Sequence, residues 1–375
     1  MDIWLDNTGF QSAGKLLISN ETDDLNPVYQ LATTIVFSNS LTLTGFENFE
    51  VGSMTANIIE ALDPKRNLID VRKVDQHTYF EQCRKSAEFC GTNFERTFTL
   101  SSDTKAFEYP ASLSRKTIQK QIEMGIKVIF TDDPSELSDL CQLSQKKMAA
   151  GAVVYMLAIN SDLRRKSKQI LIGLKDKWLG YRQIENFLRY HLNIQLAQES
   201  NEAIYLPAIG RARLIRKSQK AEYHILKKQA PSEAISNMLD SFQEDIRLGA
   251  PSMYRYFKHK CNDNADYILK TAFELRIQTS ELRKKLTNRL KNIYSSSSYN
   301  HALNDEIKEI STNIEMNLGL KPAPTLAGAF DISLVTAIPP VAITLSGKEL
   351  NTWWNFKRST KRNSLLTEIS RQSYI

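Results

Sequence analysis

The chain has 375 residues, of which 42% are hydrophobic and 24% charged. That composition is ordinary for a globular protein, with enough apolar material for two or three domains and no need of disulfide or metal staples. The net charge of +7 is uneven: residues 1–100 carry 8 Lys/Arg against 14 Asp/Glu, and the other 275 carry 41 against 28. An acidic front and a basic body imply surfaces with different partners, and the basic part favours phosphate backbones or acidic proteins. No apolar run approaches the ~18–20 residues that cross a bilayer, so no membrane partner is expected. Asp2 and Asp6 stand where a secretory signal would be basic. Cys83, Cys90, Cys141 and Cys261 lack paired CxxC spacing, and a cytoplasmic location is the expectation.

Residues 1–160 form the first expected domain, an acidic α/β unit. Ile3-Trp4-Leu5 is a candidate first strand. Further strands are predicted at residues 15–18, 41–44, 68–71, 127–130 and 152–156, from short runs rich in Leu, Ile and Val. Helices are predicted at 51–62 before Asp63-Pro64, at 78–90 before Gly91, and at 135–150, where Gly151 is expected to serve as a left-handed C-cap. The order strand, helix, strand over 126–156 predicts one right-handed βαβ unit. Residues 101–116 read as a polar loop.

Residues 161–260 form a basic, mainly helical region, with candidate helices at 179–199, 211–229 and 232–247 punctuated by Pro207, Pro231 and Pro251. Residues 261–375 follow as a third region. Its strongest signal is a stripe of Ile268, Ala272, Leu275, Thr279, Leu282, Leu286, Leu290 and Ile293, with steps of 4, 3, 4, 3, 4, 4 and 3. After a four-serine turn a second stripe runs through Leu303, Ile307, Ile310, Ile314 and Leu318. Threes and fours keep apolar groups on one side of a helix, so 265–320 predicts an antiparallel helical hairpin that packs on the rest of the protein or on a partner, including a second copy. Short strands at 332–345, turned at Pro339-Pro340, and a basic closing helix from about residue 348 complete the chain. The fold class is mixed α/β: an α/β front followed by a mainly helical region.

Two acidic sites raise the question of metal chemistry. Asp6 follows Ile3-Trp4-Leu5, and Asp132 and Asp133 follow Val128-Ile129-Phe130. Carboxylates at the carboxyl ends of parallel strands can converge on Mg²⁺ or Mn²⁺, with Glu60 or Asp63 as a further ligand. LDNT near the start and TDD after an apolar run are locally similar to PIN-type nucleases; the likeness covers about 20 residues in two pieces and carries no claim of family membership. It implies a metal-dependent nuclease with Asp6, Asp132 and Asp133 as ligands. The structural alternative is turn chemistry at Asp6-Asn7-Thr8-Gly9, and at 133–136 a helix start: Asp133 as N-cap, Pro134 first in the helix, Glu136 completing a capping box.

No zinc spacing, phosphate-binding glycine loop or nucleophile elbow is present, so no cofactor is expected and a non-catalytic role is favoured. The basic segments carry the function. On one helix, Arg213, Lys217, Lys220, His224 and Lys227 step by 4, 3, 4 and 3, beside Arg211, Arg216 and Lys228, with Glu222 the single acid of that stretch. Such a stripe runs roughly 21 Å and can track several phosphates. Arg164, Arg165, Lys166, Lys168, Lys175 and Lys177 form a second basic stretch. Tyr254, Arg255, Tyr256 and Phe257 interleave aromatics with charge, which suits base stacking. The expectation is a binding or scaffold protein that engages DNA or RNA, with a protein partner or a second copy held through the hairpin. A nuclease and a protein-only assembly subunit stand as alternatives.

Overall fold

The computed structural model describes residues 2–19, 25–46, 53–100, 113–199, 204–206, 257–258, 260–280 and 283–284. A parallel sheet of order β3-β2-β1-β4 sits near the N-terminus. Its strands are β1 (Asp2–Leu5), β2 (Ser40–Phe46), β3 (Ile69–Val74) and the short β4 (Ile204–Leu206). The described remainder is mostly helical: α1 (Asn7–Ser19), α2 (Asn26–Phe37), α3 (Ser53–Leu62), α4 (Gln76–Thr97), α5 (Arg115–Phe130), α6 (Pro134–Lys146), α7 (Ala152–Ile159), α8 (Ser161–Ile172), α9 (Lys177–Glu199) and α10 (Ala265–Gln278).

The period of two in β1 divides the interior. Ile3 and Leu5 point to one face and Trp4 to the other. On the Ile3 face, Leu41, Leu43 and Ile69 pack against α1, α2 and α3 in a first core. Trp4 and Val74 join a second core built by α4 to α9, from Tyr79 to Phe94 and from Ile122 to Ala197. The described arm of the expected hairpin closes the first core. Ile268, Ala272, Leu275 and Thr279 are all buried, and the first three pack with Phe257 and Cys261 in that core. The described part of the stripe, Ile268 to Thr279, therefore lies against this same chain, over α2. Arg276 adds a polar closure: its guanidinium donates to the carbonyls of Ile35 at 3.0 Å, Asn39 at 2.6 Å and Ser38. Arg283 donates to Val36 O at 3.3 Å. The carbonyls at the end of a helix lack intrahelical partners and carry partial negative charge, so two guanidiniums suit them. Burial, then the neighbouring Arg283 charge, lowers the Arg276 pKa to about 10.

Several expected elements are corrected. Residues 15–18 belong to α1, 127–130 to the last turn of α5, and 152–156 to α7. The βαβ unit over 126–156 is thus three helices. Gly91 does not stop α4. It lies inside the helix where α8 approaches: a Cβ there would come within 2.7 Å of the Asn160 side chain, and Lys166 Nζ donates to Gly91 O at 2.9 Å. Gly151 is not a left-handed cap either, since its φ is −89°. Glycine is required there because a Cβ would lie 2.1 Å from Ser144 O. The left-handed residue of that turn is Met148, with φ 48°. The second hairpin arm, the strands at 332–345 and the closing helix lie outside the described residues.

Candidate nucleic-acid interface

One edge of the helical layer gathers cations around exposed apolar side chains. Ser114 caps α5 by accepting from Thr117 N at 3.2 Å, and the helix ends at Phe130. Asp133 then starts α6 by accepting from Ser135 N at 3.0 Å, so Asp132 projects from a tight helix–helix turn. Three contacts draw neighbouring elements to that turn. Lys127 of α5 pairs with Glu136 of α6 at 2.6 Å, Lys168 of α8 pairs with Asp132 at 2.8 Å, and Lys177, first residue of α9, lies 5.0 Å over the Phe130 ring. The last is a cation–π contact. The Lys168 ammonium, through its hydrogen bond and its charge, lowers the Asp132 pKa, and Lys127 with Thr131 lowers that of Glu136.

The α8–α9 connection completes the edge. Asp176 caps α9 by accepting from Leu179 N at 2.9 Å. That fixes Lys177 and Trp178 in the first helical turn. Trp178 is 43% exposed and Ile172, the last residue of α8, 65% exposed. Lys175 and Lys177 are exposed with them. Large apolar groups left in water next to cations mark a contact surface more often than isolated exposed side chains do. Residues 113–182 as a whole hold 13 Lys/Arg against 7 Asp/Glu.

The sequence-predicted residues distribute unevenly. Arg164 turns inward: its Nη1 donates to Leu157 O and Ala158 O, both at 3.0 Å, closing the C-terminus of α7. Burial lowers its pKa, opposed by the Asp132 charge. Arg165 is exposed and pairs with Asp162 at 3.1 Å. Arg211, Arg213, Arg216, Lys217, Lys220, Lys227, Tyr254, Arg255 and Tyr256 lie outside the described residues. Trp178 and Ile172 were not singled out from sequence. Their only signal was the run Leu174-Lys175-Asp176-Lys177-Trp178, which mixes charge and an aromatic as the other basic segments do.

The acids are held apart in role. Asp6 is 5% exposed, follows β1 and caps α1, its Oδ1 accepting from Thr8 N at 2.9 Å. The expected turn at 6–9 is thus a capped helix start, and the next residue, Asn7, ties that start to β2 through Thr44 O at 2.8 Å. Asp133 is the N-cap the sequence predicts. The third member of the expected capping box, Glu136, instead binds Thr131 and Lys127. Asp132 follows the end of helix α5, not the end of a strand. Asp63 binds the backbone amides of Leu68 and Ile69, each at 2.7 Å, and organises the loop before β3. Among the described residues no group of three or more His, Cys, Asp or Glu could hold a metal ion. Likewise no described helix is long and apolar enough to cross a membrane.

Comparison with known proteins adds no relative: no family model, no curated protein and no solved structure matches the chain.

Proposed function

We propose that this chain is a non-catalytic nucleic-acid-binding protein that works within a larger assembly. The observation that carries the proposal is the edge shared by α5, α8 and α9, where Trp178 and Ile172 stand exposed among Lys175, Lys177 and Lys168. Cations that draw phosphates and an aromatic that accepts a base are the two ingredients of such binding. The sequence supports an extension of this surface through Arg211, Arg213, Arg216, Lys217, Lys220 and Lys227, and through Tyr254, Arg255 and Tyr256. Arg165, exposed and paired with Asp162, would contribute from the surface, while Arg164 donates to the carbonyls at the end of α7. In this proposal the front is the α/β unit, the body is basic and helical, and the hairpin over 265–320 offers its second arm to a protein partner or a second copy.

The test is fluorescence anisotropy with labelled DNA and RNA at low and moderate salt, with and without Mg²⁺. Micromolar or tighter binding that weakens steeply with salt is expected, because each phosphate contact releases counterions. Absence of binding at low salt overturns the proposal. A signal that decays only when Mg²⁺ is present overturns the non-catalytic role and favours the nuclease alternative.

A further inference from the structure

We infer that the α8–α9 edge is a stacking platform for single-stranded nucleic acid, with Trp178 receiving a base while Lys175 and Lys177 hold the flanking phosphates. This rests on the nucleic-acid reading above and narrows it to a strand class and a residue. A duplex hides its base faces, whereas a single strand offers every base to an aromatic ring. The local geometry fits the second case. Trp178 is anchored rather than loose: its backbone lies in the first turn of a 23-residue helix. Asp176 caps that turn at Leu179 N, 2.9 Å away. Trp178 is nonetheless 43% exposed, next in sequence to a lysine whose ammonium already sits 5.0 Å from another ring, that of Phe130. Ile172, 65% exposed at the end of α8, gives a second apolar surface across the turn.

Charge selects the occupant. Lys175 and Lys177 are exposed on either side of Asp176, whose carboxylate is directed to its own helix. Lys168 is held near the edge by Asp132 at 2.8 Å and is available by exchange when a phosphate approaches. An apolar protein partner would gain nothing from these lysines. An acidic protein would use the charges and leave the indole without a partner. A single strand uses both.

The experiment measures a labelled 12-nucleotide oligo-U or oligo-dT, and a duplex of the same length, against the full chain and three variants. The wild-type chain is expected to bind the single strand more tightly than the duplex. Trp178→Ala should weaken single-strand binding by about tenfold and leave the duplex unchanged. Trp178→Phe should retain most of the affinity. The double variant Lys175→Glu/Lys177→Glu should flatten the salt slope by about 1.4, the value for two single-strand phosphate contacts. Photocrosslinking of a 4-thiouridine oligonucleotide to the wild-type chain should label the peptide that holds Trp178, a readout independent of how any variant folds. Equal binding of both strand classes, untouched by Trp178→Ala, overturns this inference while the broader nucleic-acid proposal stands. Crosslinks confined to other peptides, or displacement by polyglutamate as effective as by poly-U, overturn it as well. Failure to bind any nucleic acid overturns both.

Discussion

The two cores of this protein are closed in different ways. The first, on the Ile3 face of the sheet, is completed from far along the chain. Phe257 is fully buried in it, and Arg276 reaches the end of α2 across 241 residues to Ile35. The second is closed from nearby: Arg164 seals the end of α7 from 7 residues away, and Asn160 both caps α8 at Leu163 N and donates to Ala87 O. The same physical need, partners for the carbonyls at a helix end, is met by a distant segment in one core and by the next helix in the other. Apart from Trp4 of β1, the buried residues of the second core come from Val74 onward, from segments near one another in the chain. The first core must bring together segments 241 residues apart, which costs chain entropy before any contact is gained.

The largest expected effect breaks the first core alone. Phe257→Ala removes a fully buried ring and should cost about 3–5 kcal/mol in urea unfolding. Amide exchange should accelerate in α2 and α10 and stay slow in α4 to α9. Uniform acceleration would mean that the two cores unfold as one unit. Next comes the contrast between the two arginine closures. Arg276→Ala strips partners from the carbonyls of Ile35, Ser38 and Asn39 and should cost about 2 kcal/mol, whereas Arg164→Ala, which frees two carbonyls at a half-buried site, should cost about 1 kcal/mol. Equal losses would erase the distinction between long-range and local closure.

The smallest effect at neutral pH, and one confined to the second core, is acid sensitivity. His191 is enclosed by Phe89, Phe187 and Tyr190, with ring centroids at 5.0, 4.6 and 5.2 Å. Its Nε2 makes no hydrogen bond among the described residues. Burial lowers its pKa from 6.5 to about 3, so the folded protein keeps it neutral while the unfolded chain takes up a proton. Stability is therefore complete above pH 6.5 and falls as pH drops from there towards 3, by up to about 1.4 kcal/mol per unit. His191→Phe should remove this share of the slope between pH 6 and 4. An unchanged slope in urea titrations across that window would assign the acid sensitivity to other groups.

How much of this was legible beforehand differs by element. β1, β2, β3, α3 and α9 follow from local pattern, as does the Asp133 cap before Pro134. The apolar stripe of α10 was visible through its threes and fours, and burial of Ile268, Ala272, Leu275 and Thr279 follows it. Residues 127–130 and 152–156 misled because a short run of Val and Ile suits a strand and a buried helix equally. For α5 the helical period was present, in Ile118, Ile122, Gly125 and Ile129, but becomes visible only when the whole segment is read. α7 has no such period to find, since Ala152, Val153, Val154, Met156 and Leu157 are buried all round it.

The candidate interface follows the same division. Sequence alone determined that the body of the chain is basic, where Lys168, Lys175 and Lys177 fall, and that residues 179–199 make a helix, because charge and periodicity are local properties. It could not distinguish Arg164, turned onto the carbonyls of α7, from Lys175, left in water, nor foresee that Trp178 stays exposed while Trp4 is buried. Burial is a property of what packs against a residue. For Trp178, Arg164 and Asp6 alike, only the tertiary arrangement of β1, α5, α8 and α9 decides whether the side chain faces solvent, a helix end or the core.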